Sequence, residues 1–204
     1  MSIKLNGATS GSVELGVPDA VTGGDVTLTL PPNDGSAGQV LSTNGAGALS
    51  FVNSVEFDYW YLTADETTTD VTMTNWSRYN QEAAASPIGT GMTESSGIFT
   101  FPNTGKWLVV SAPHFNIDDS DSTVVTTEVT TNNSSYNEVA RAADGNNGTG
   151  LRSGGSTAFA FVDVTDTANV KVRFRPLSLS GSSSVMGHAS FVESAFLFIR
   201  LGDT

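Results

Sequence analysis

The densest group of potentially reactive side chains is an acidic cluster in the middle of the chain. Three carboxylates stand within four residues, at Asp118, Asp119 and Asp121. Carboxylate oxygens suit Ca²⁺, a hard cation, and paired acids can also hydrolyse glycosides. The spacing differs from the D-x-[DN]-x-[DN]-G loop of an EF-hand. We therefore interpret the cluster as a solvated turn, with an ion site as the alternative.

The other groups that could do chemistry do not form a recognisable catalytic set. His114 and His188 are far apart in the sequence, and the chain has no cysteine to complete a zinc site of the usual kind. Residues 145–150 read GNNGTG but lack the lysine and the helix of a phosphate-binding loop, which indicates a surface loop. We therefore predict a protein that is not an enzyme, with no catalytic residues, no cofactor and no metal.

Charge narrows the range of partners. The chain has 9 basic and 21 acidic residues, a formal net charge of −12. This charge disfavours nucleic acids and anionic membranes, because both are polyanions. Residues 1–20 show no secretory signal, and no apolar run reaches the roughly 18 residues that a membrane span needs.

The elements that would carry these residues are β-strands. No long stretch has the apolar spacing of an amphipathic helix, and the best helical candidate is the short segment Gln81–Ala85. From Val55 onward, short alternating segments are separated by turn signals such as Asn103-Thr104-Gly105 and Asp144-Gly145. The predicted strands are Phe57–Thr63, Gly97–Phe101, Lys106–Phe115, Thr123–Thr130, Thr157–Val164, Asn169–Phe174 and Ala189–Leu201. Alternation places Trp107, Val109 and Ser111 on one face of their strand, and Val172 and Phe174 on one face of theirs, as in half-buried antiparallel strands. These patterns predict an all-β fold with an antiparallel sandwich over residues 55–204.

Residues 1–54 have a different texture. They are rich in glycine and hold few large side chains, with short β-like pieces at Ser12–Leu15 and Asp25–Leu30. Such pieces cannot bury enough apolar surface to offset their ordering entropy when they stand alone. We predict an extended N-terminal arm that is either flexible or packed on neighbouring copies.

One segment of this arm resembles a known linker. Residues 30–52 read LPPNDGSAGQVLSTNGAGALSFV. They are similar to the linker near the start of bacteriophage fibre-type proteins, whose pattern is LP-x-x-DG-x-x-GQVL-x-T-x-G-x-G-x-L-S-W. Phe51 stands where tryptophan is usual. The resemblance implies a virion structural protein.

A second resemblance lies in the predicted sandwich. Residues 97–107 read GIFTFPNTGKW. They resemble a hallmark hairpin of the jelly rolls of the complement globular-head and tumour-necrosis-factor-like type, as does Ser190-Phe191 followed by the apolar strand Ala195–Leu201. The resemblance implies a jelly-roll β-sandwich that forms a compact homotrimer. Within the last strand we expect Phe198 to contribute to the subunit interface.

Together these patterns favour a non-enzymatic phage protein displayed as a homotrimer on the particle exterior. Residues 1–54 would attach it to capsid or tail proteins, and residues 55–204 would form the head. A tail fibre, a head fibre and a capsid decoration all fit. Loops 116–122, 131–137 and 144–155 are the candidate contacts with a host receptor or glycan. The alternatives are a secreted tumour-necrosis-factor-like binding module and, third, a glycan-degrading enzyme, although such enzymes usually use long repetitive β-helices.

Overall fold

The computed structural model describes residues 2–6, 12–16, 27–36, 39–53, 55–80, 87–118 and 120–203. In these ranges every regular element is a β-strand, as the sequence predicts. The chain divides into two compact units, Met1–Ser54 and Val55–Thr204. The predicted helical segment Gln81–Ala85 lies outside the described residues.

The described residues of the first unit form two pairs of short strands. Strands β1 (Ser2–Asn6) and β2 (Ser12–Gly16) pair antiparallel, and so do β3 (Gln39–Thr43) and β4 (Leu49–Asn53). Of the predicted strand Asp25–Leu30, only residues 27–30 are described, and they make a single bridge from Thr29 to Ala48. The phage-like linker therefore contains a hairpin, β3–β4, that the sequence pattern did not predict.

The second unit, which we call the head, contains the remaining strands. They are β5 (Glu56–Leu62), β6 (Trp76–Arg78), β7 (Thr93–Ser95), β8 (Ile98–Thr100), β9 (Gly105–Ala112), β10 (His114–Ile117), β11 (Ser122–Thr130), β12 (Tyr136–Gly145), β13 (Arg152–Gly155), β14 (Ala158–Val164), β15 (Lys171–Leu177), β16 (Ser184–Val185) and β17 (Ala195–Gly202).

Two five-stranded antiparallel sheets form the sandwich. The first sheet has the strand order β14-β9-β17-β5-β6, and the second has the order β12-β11-β15-β8-β7. A smaller sheet, β13-β10-β16, lies at one end. The last strand, β17, is central in the first sheet, between β9 and β5. This architecture confirms the predicted all-β jelly-roll sandwich.

Alternation along the strands builds the core between the sheets. Trp107, Val109 and Ser111 of β9 are buried, as predicted, and so are Val172 and Phe174 of β15. Aromatic rings from both sheets meet in the core, several of them edge to face at centroid separations near 5 Å. The largest buried rings are Phe99, Phe101, Trp107, Phe115, Phe174, Phe196 and Phe198.

Two glycines of the predicted hallmark hairpin are needed for close approach of the backbone. Gly97 has φ +81°, and a Cβ there would lie 2.2 Å from the Met73 carbonyl oxygen. Gly105 has φ +140°, and a Cβ would lie 2.4 Å from the Gly202 carbonyl oxygen. Other residues would be strained at both positions, which explains the glycine spacing of this motif.

The structure corrects two local predictions. The predicted strand Lys106–Phe115 is interrupted at Pro113, which has no N–H for a ladder bond, and it continues as β10. The predicted turn at Asp144-Gly145 is the end of strand β12, because both residues pair with the start of β11. Strand pairing over long distance outweighs the local turn preference of Asp-Gly here.

Candidate functional site: an assembly face and a loop surface

The outer face of the first sheet is apolar. On four of its five strands, β14, β9, β17 and β5, the side chains that alternate with core residues point away from the sandwich. We call these outward residues the apolar face: Phe159, Phe161, Leu108, Val110, Leu197, Ile199, Phe57 and Tyr59.

Strand register arranges the apolar face in two continuous rows. One row runs from Phe161 through Leu108 and Ile199 to Phe57. The other row runs from Phe159 through Val110, Leu197 and Tyr59 in the same order of strands. Phe159 is 63% exposed and Phe161 is 75% exposed, and the other members are half-buried. The ion pair between Lys106 and Asp163 bounds the rows at one end.

A tyrosine cluster continues the apolar face toward the β6 side of the sheet. The ring of Tyr79 contacts Tyr59 and Tyr61, with centroid separations of 5.3 and 6.1 Å. Burial, and secondly the neighbouring Tyr79, raise the pKa of Tyr59 above its ordinary value. The Tyr59 phenol is therefore neutral at physiological pH, which keeps the face uncharged there.

The structure corrects the expected position of Phe198. Its side chain is fully buried between the two sheets, together with Phe196. The outward members of β17 are its neighbours Leu197 and Ile199, which belong to the apolar face. The apolar side chains of β17 are thus divided between the core and the outer surface.

The second sheet has a charged outer face instead. Glu128 is buried there and accepts hydrogen bonds from Arg173 and Arg175, both at 2.8 Å. Arg175 also pairs with Asp70, and the Arg173 guanidinium lies 4.1 Å from the ring centroid of Tyr136. These charges satisfy one another within one chain. The outer face of the second sheet is therefore charged, whereas that of the first sheet is apolar. Exposure of the apolar face to water is unfavourable.

Two of the three predicted contact loops lie together. The N–H of Asn146 donates to the Asp121 carbonyl at 2.9 Å, and its side-chain amide donates to the Ile117 and Gly150 carbonyls. Strands β10 and β13 also pair along their length. Loops 116–122 and 144–155 therefore form one surface at the end of the head that carries the small sheet.

The third predicted contact loop lies elsewhere. Strand β11 runs from Ser122 to Thr130, so the turn after it is at the opposite end of the sandwich. There the N–H of Asn133 donates to the Asn169 carbonyl at 3.0 Å. Loop 131–137 is at the end where the first strand of the head begins, so it does not share a surface with the other two loops.

The acidic cluster binds its own chain. An Asp118 carboxylate oxygen accepts the N–H of Ser182 at 2.8 Å, and Asp121 accepts the N–H of Ser180 at 3.2 Å. Burial opposes ionisation of Asp121, but hydrogen bonds donated by Ser183, Ser122 and Ser180 outweigh it and lower the pKa of this carboxyl. Asp119 lies outside the described residues. The two described carboxylates hold the 178–183 loop, a role that the sequence pattern did not reveal.

The histidines are separate, as the sequence indicates. The Nε2 atom of His114 lies 2.8 Å from the Ser153 hydroxyl oxygen, and the His188 ring stacks on Phe191. In the described ranges no three histidine, cysteine or carboxylate groups are placed to hold a metal ion. The same ranges contain no helix that could cross a bilayer.

Comparison with solved structures identifies the type of jelly roll, which is tumour-necrosis-factor-like. A structure of Eiger TNF from S. frugiperda superposes with a TM-score of 0.53 at 16% identity, over 74% of this chain and 94% of that chain. A crystal structure of murine APRIL at pH 5.0 gives a TM-score of 0.50 at 14% identity, over 72% of this chain and 100% of that chain. At these identities the likeness concerns the fold.

Comparison at the level of sequence adds no relatives. No protein-family model matches the chain, and no curated protein matches it. The tumour-necrosis-factor-like head is thus confirmed as a fold. The phage resemblance of residues 30–52 stays a prediction.

Proposed function

We propose that this chain is a non-enzymatic structural protein on the exterior of a bacteriophage particle. Its head, residues 55–204, is displayed as a homotrimer, and residues 1–54 attach it to capsid or tail proteins. The observation that carries the proposal is the apolar face. Its two phenylalanines on β14 are more than half exposed, and six further apolar side chains continue from them across the sheet.

The exposed area supports assembly through this face. A phenylalanine presents about 200 Å², so the exposed fractions of 63% and 75% correspond to about 280 Å² for Phe159 and Phe161 together. This is about a third of the roughly 800 Å² that one partner contributes to a standard interface. The half-buried residues of the two rows add to it. Covering this area would stabilise the complex by the hydrophobic effect.

The geometry of the face suits a closed ring of identical copies. The rows begin at the edge strand β14 and extend across the sheet to the tyrosine cluster beside β6, so the two sides of the face differ. A contact between unlike sides is heterologous, and rotation by a third of a turn closes it into a trimer. Such a ring also covers β14, which is an edge strand of its sheet in the part of the chain that the structure describes. Three copies carry 3 × −12 = −36 charges, so the apolar contact must outweigh their repulsion.

The linker supports the assignment to a phage particle. Within residues 30–52 the ring of Phe51 lies over Gly35, where a Cβ would meet it at 2.6 Å. Gly45 and Gly47 have φ angles of +77° and +89° in the connection between β3 and β4. Three glycines of the phage-like pattern thus occupy positions in this chain where a side chain would be strained. The fibre-type resemblance therefore rests on residues that shape the arm.

The second candidate function is a tumour-necrosis-factor-like binding module. The similarity of the head to Eiger TNF and murine APRIL favours it. It shares the assembly face with the first candidate, but it gives no reason for the fibre-type pattern in residues 30–52. The two candidate functions differ in where the protein is found, on phage particles or free of them.

Immunogold electron microscopy with antibodies against the head tests the proposal. The specimens are intact phage particles from the source that encodes the chain. We expect gold on the outside of the particles, at the capsid for a decoration or at the tail for a fibre. Particles without label, with the protein recovered only in the particle-free supernatant, would favour the binding module instead.

A further inference from the structure

The loop between β16 and β17 presents a pair of stacked rings to solvent. The His188 and Phe191 rings have centroids 3.8 Å apart and an interplanar angle of 21°. Phe191 is 49% exposed, and His188 is also exposed. We call these two residues the ring platform. The Phe191 ring is stacked on His188 and is partly exposed to water. A flat, ring-shaped ligand can stack on this exposed surface.

Hydrogen bonds hold the ends of this loop in place. The Ser194 hydroxyl is buried, accepts the N–H of His114 at 2.9 Å and donates to the Met186 carbonyl at 2.7 Å. The N–H of His188 donates to the Leu62 carbonyl at 3.0 Å. The platform is therefore anchored to strand β5 and to the start of β10. A platform that is ordered before binding loses little entropy when a ligand arrives.

The turn after β5 contacts Gly187, the residue that precedes His188 of the platform. A Cβ on Gly187 would lie 2.3 Å from the Ala64 carbonyl oxygen, so only glycine allows this approach. The N–H of Gly187 donates to Asp65 at 2.8 Å. Asp65 is exposed and also lies 3.5 Å from the Ser184 hydroxyl oxygen, and a carboxylate can accept more hydrogen bonds than these two. Asp65 can therefore accept further hydrogen bonds, and it contacts Gly187, the residue next to His188 in the sequence.

The histidine contributes a donor. The N–H of Ser190 donates to Nδ1 of His188 at 3.1 Å, so the neutral ring carries its proton on Nε2. Asp65 accepts, His188 donates, and Phe191 provides an apolar ring surface. These three properties match a pyranose sugar, which has one apolar C–H face and a rim of hydroxyls that both donate and accept.

We infer that the ring platform and Asp65 form a binding site for a neutral pyranose ring of a surface glycan. The inference rests on the proposed function, because it names the class of partner that the head contacts. Anionic sugars are disfavoured, since Asp65 and Glu193 are acidic and the whole chain carries a charge of −12. Loops 116–122 and 144–155 lie at the same end of the head, around β10.

Saturation-transfer NMR on the full-length protein tests the site. The probes are the methyl glycosides of glucose, galactose and N-acetylglucosamine, with N-acetylneuraminic acid as the anionic probe. We expect transfer to at least one neutral probe and none to the anionic probe. Phe191→Ala removes about 100 Å² of stacking area, taken from its 49% exposure, and should weaken binding about tenfold or more.

Matched variants make the result specific. Phe191→Trp keeps a ring and should keep binding, and Val139→Ala, at a 48% exposed site on β12, should bind like the unaltered protein. No transfer to any neutral probe, or equal transfer to Phe191→Ala, would overturn the inference. Preference for the anionic probe would also overturn it.

Sedimentation of the same samples separates this inference from the proposed assembly. Phe191 is not part of the apolar face, so Phe191→Ala should have the mass of the unaltered protein. A trimer that binds no neutral sugar refutes only the sugar site. A monomer that binds sugar through Phe191 refutes only the assembly.

Discussion

The substitution Phe161→Ser tests the apolar face at its most exposed member. Phe161 is 75% exposed, which corresponds to about 150 Å² of ring surface that a neighbouring copy would cover. At roughly 25 cal/mol per Å² this burial is worth up to about 4 kcal/mol at each contact. Summed over the three contacts of a trimer, the loss should raise the midpoint concentration of assembly by about three to four orders of magnitude.

Sedimentation velocity over a concentration series measures this midpoint. Phe161 contributes little to the core of its own chain, so the melting temperature of the variant's monomer should stay close to that of the unaltered monomer. The matched control is Val139→Ser, a 48% exposed site on β12 of the other sheet. It should leave assembly unchanged. If Phe161→Ser sediments like the unaltered protein, or if both variants dissociate alike, the apolar face is not the interface.

Three further predictions concern the core, the loops and a buried ion pair. Phe198→Asp places a charge between the sheets and should abolish the cooperative thermal transition; a folded monomeric variant would contradict this position of the side chain. The pKa of Asp121 is lowered in the folded state, so its stabilisation is complete above the ordinary aspartate pKa and is lost as the pH falls through the folded value. The protection of the 178–183 loop against hydrogen exchange, corrected for the intrinsic exchange rate at each pH, should therefore fall in acid, and an Asp121→Asn variant that keeps the same acid response would refute this. Asp58→Ala leaves a partly buried guanidinium without its anion and should cost about 3–5 kcal/mol in chemical denaturation, whereas Asp163→Ala at an exposed pair should cost less than about 1 kcal/mol.

The sandwich could be predicted from the sequence because the signals that indicate it are local. Alternation along β9 and β15 was sufficient to place Trp107, Val109, Val172 and Phe174 in the core, where all four are buried. The glycine spacing of the hallmark hairpin indicated the jelly-roll type. Each of these signals depends on neighbours in the same strand or turn.

The functional surfaces were less predictable because long-range pairing decides them. In β17 every residue from Phe196 to Ile199 is apolar, so alternation could not tell which members face the core. Register with β9 and β5 places Leu197 and Ile199 outside. Likewise, Asp121 anchors a loop nearly sixty positions later in the sequence through a hydrogen bond from Ser180, which no local pattern reveals.

The mass of the unaltered protein in solution shows whether its heads assemble into a trimer. Sedimentation equilibrium at micromolar concentration should give 3 × 21.2 kDa = 63.6 kDa. A single species of 21.2 kDa across the whole concentration range would mean that the apolar face remains exposed to solvent, and it would contradict the proposed trimer.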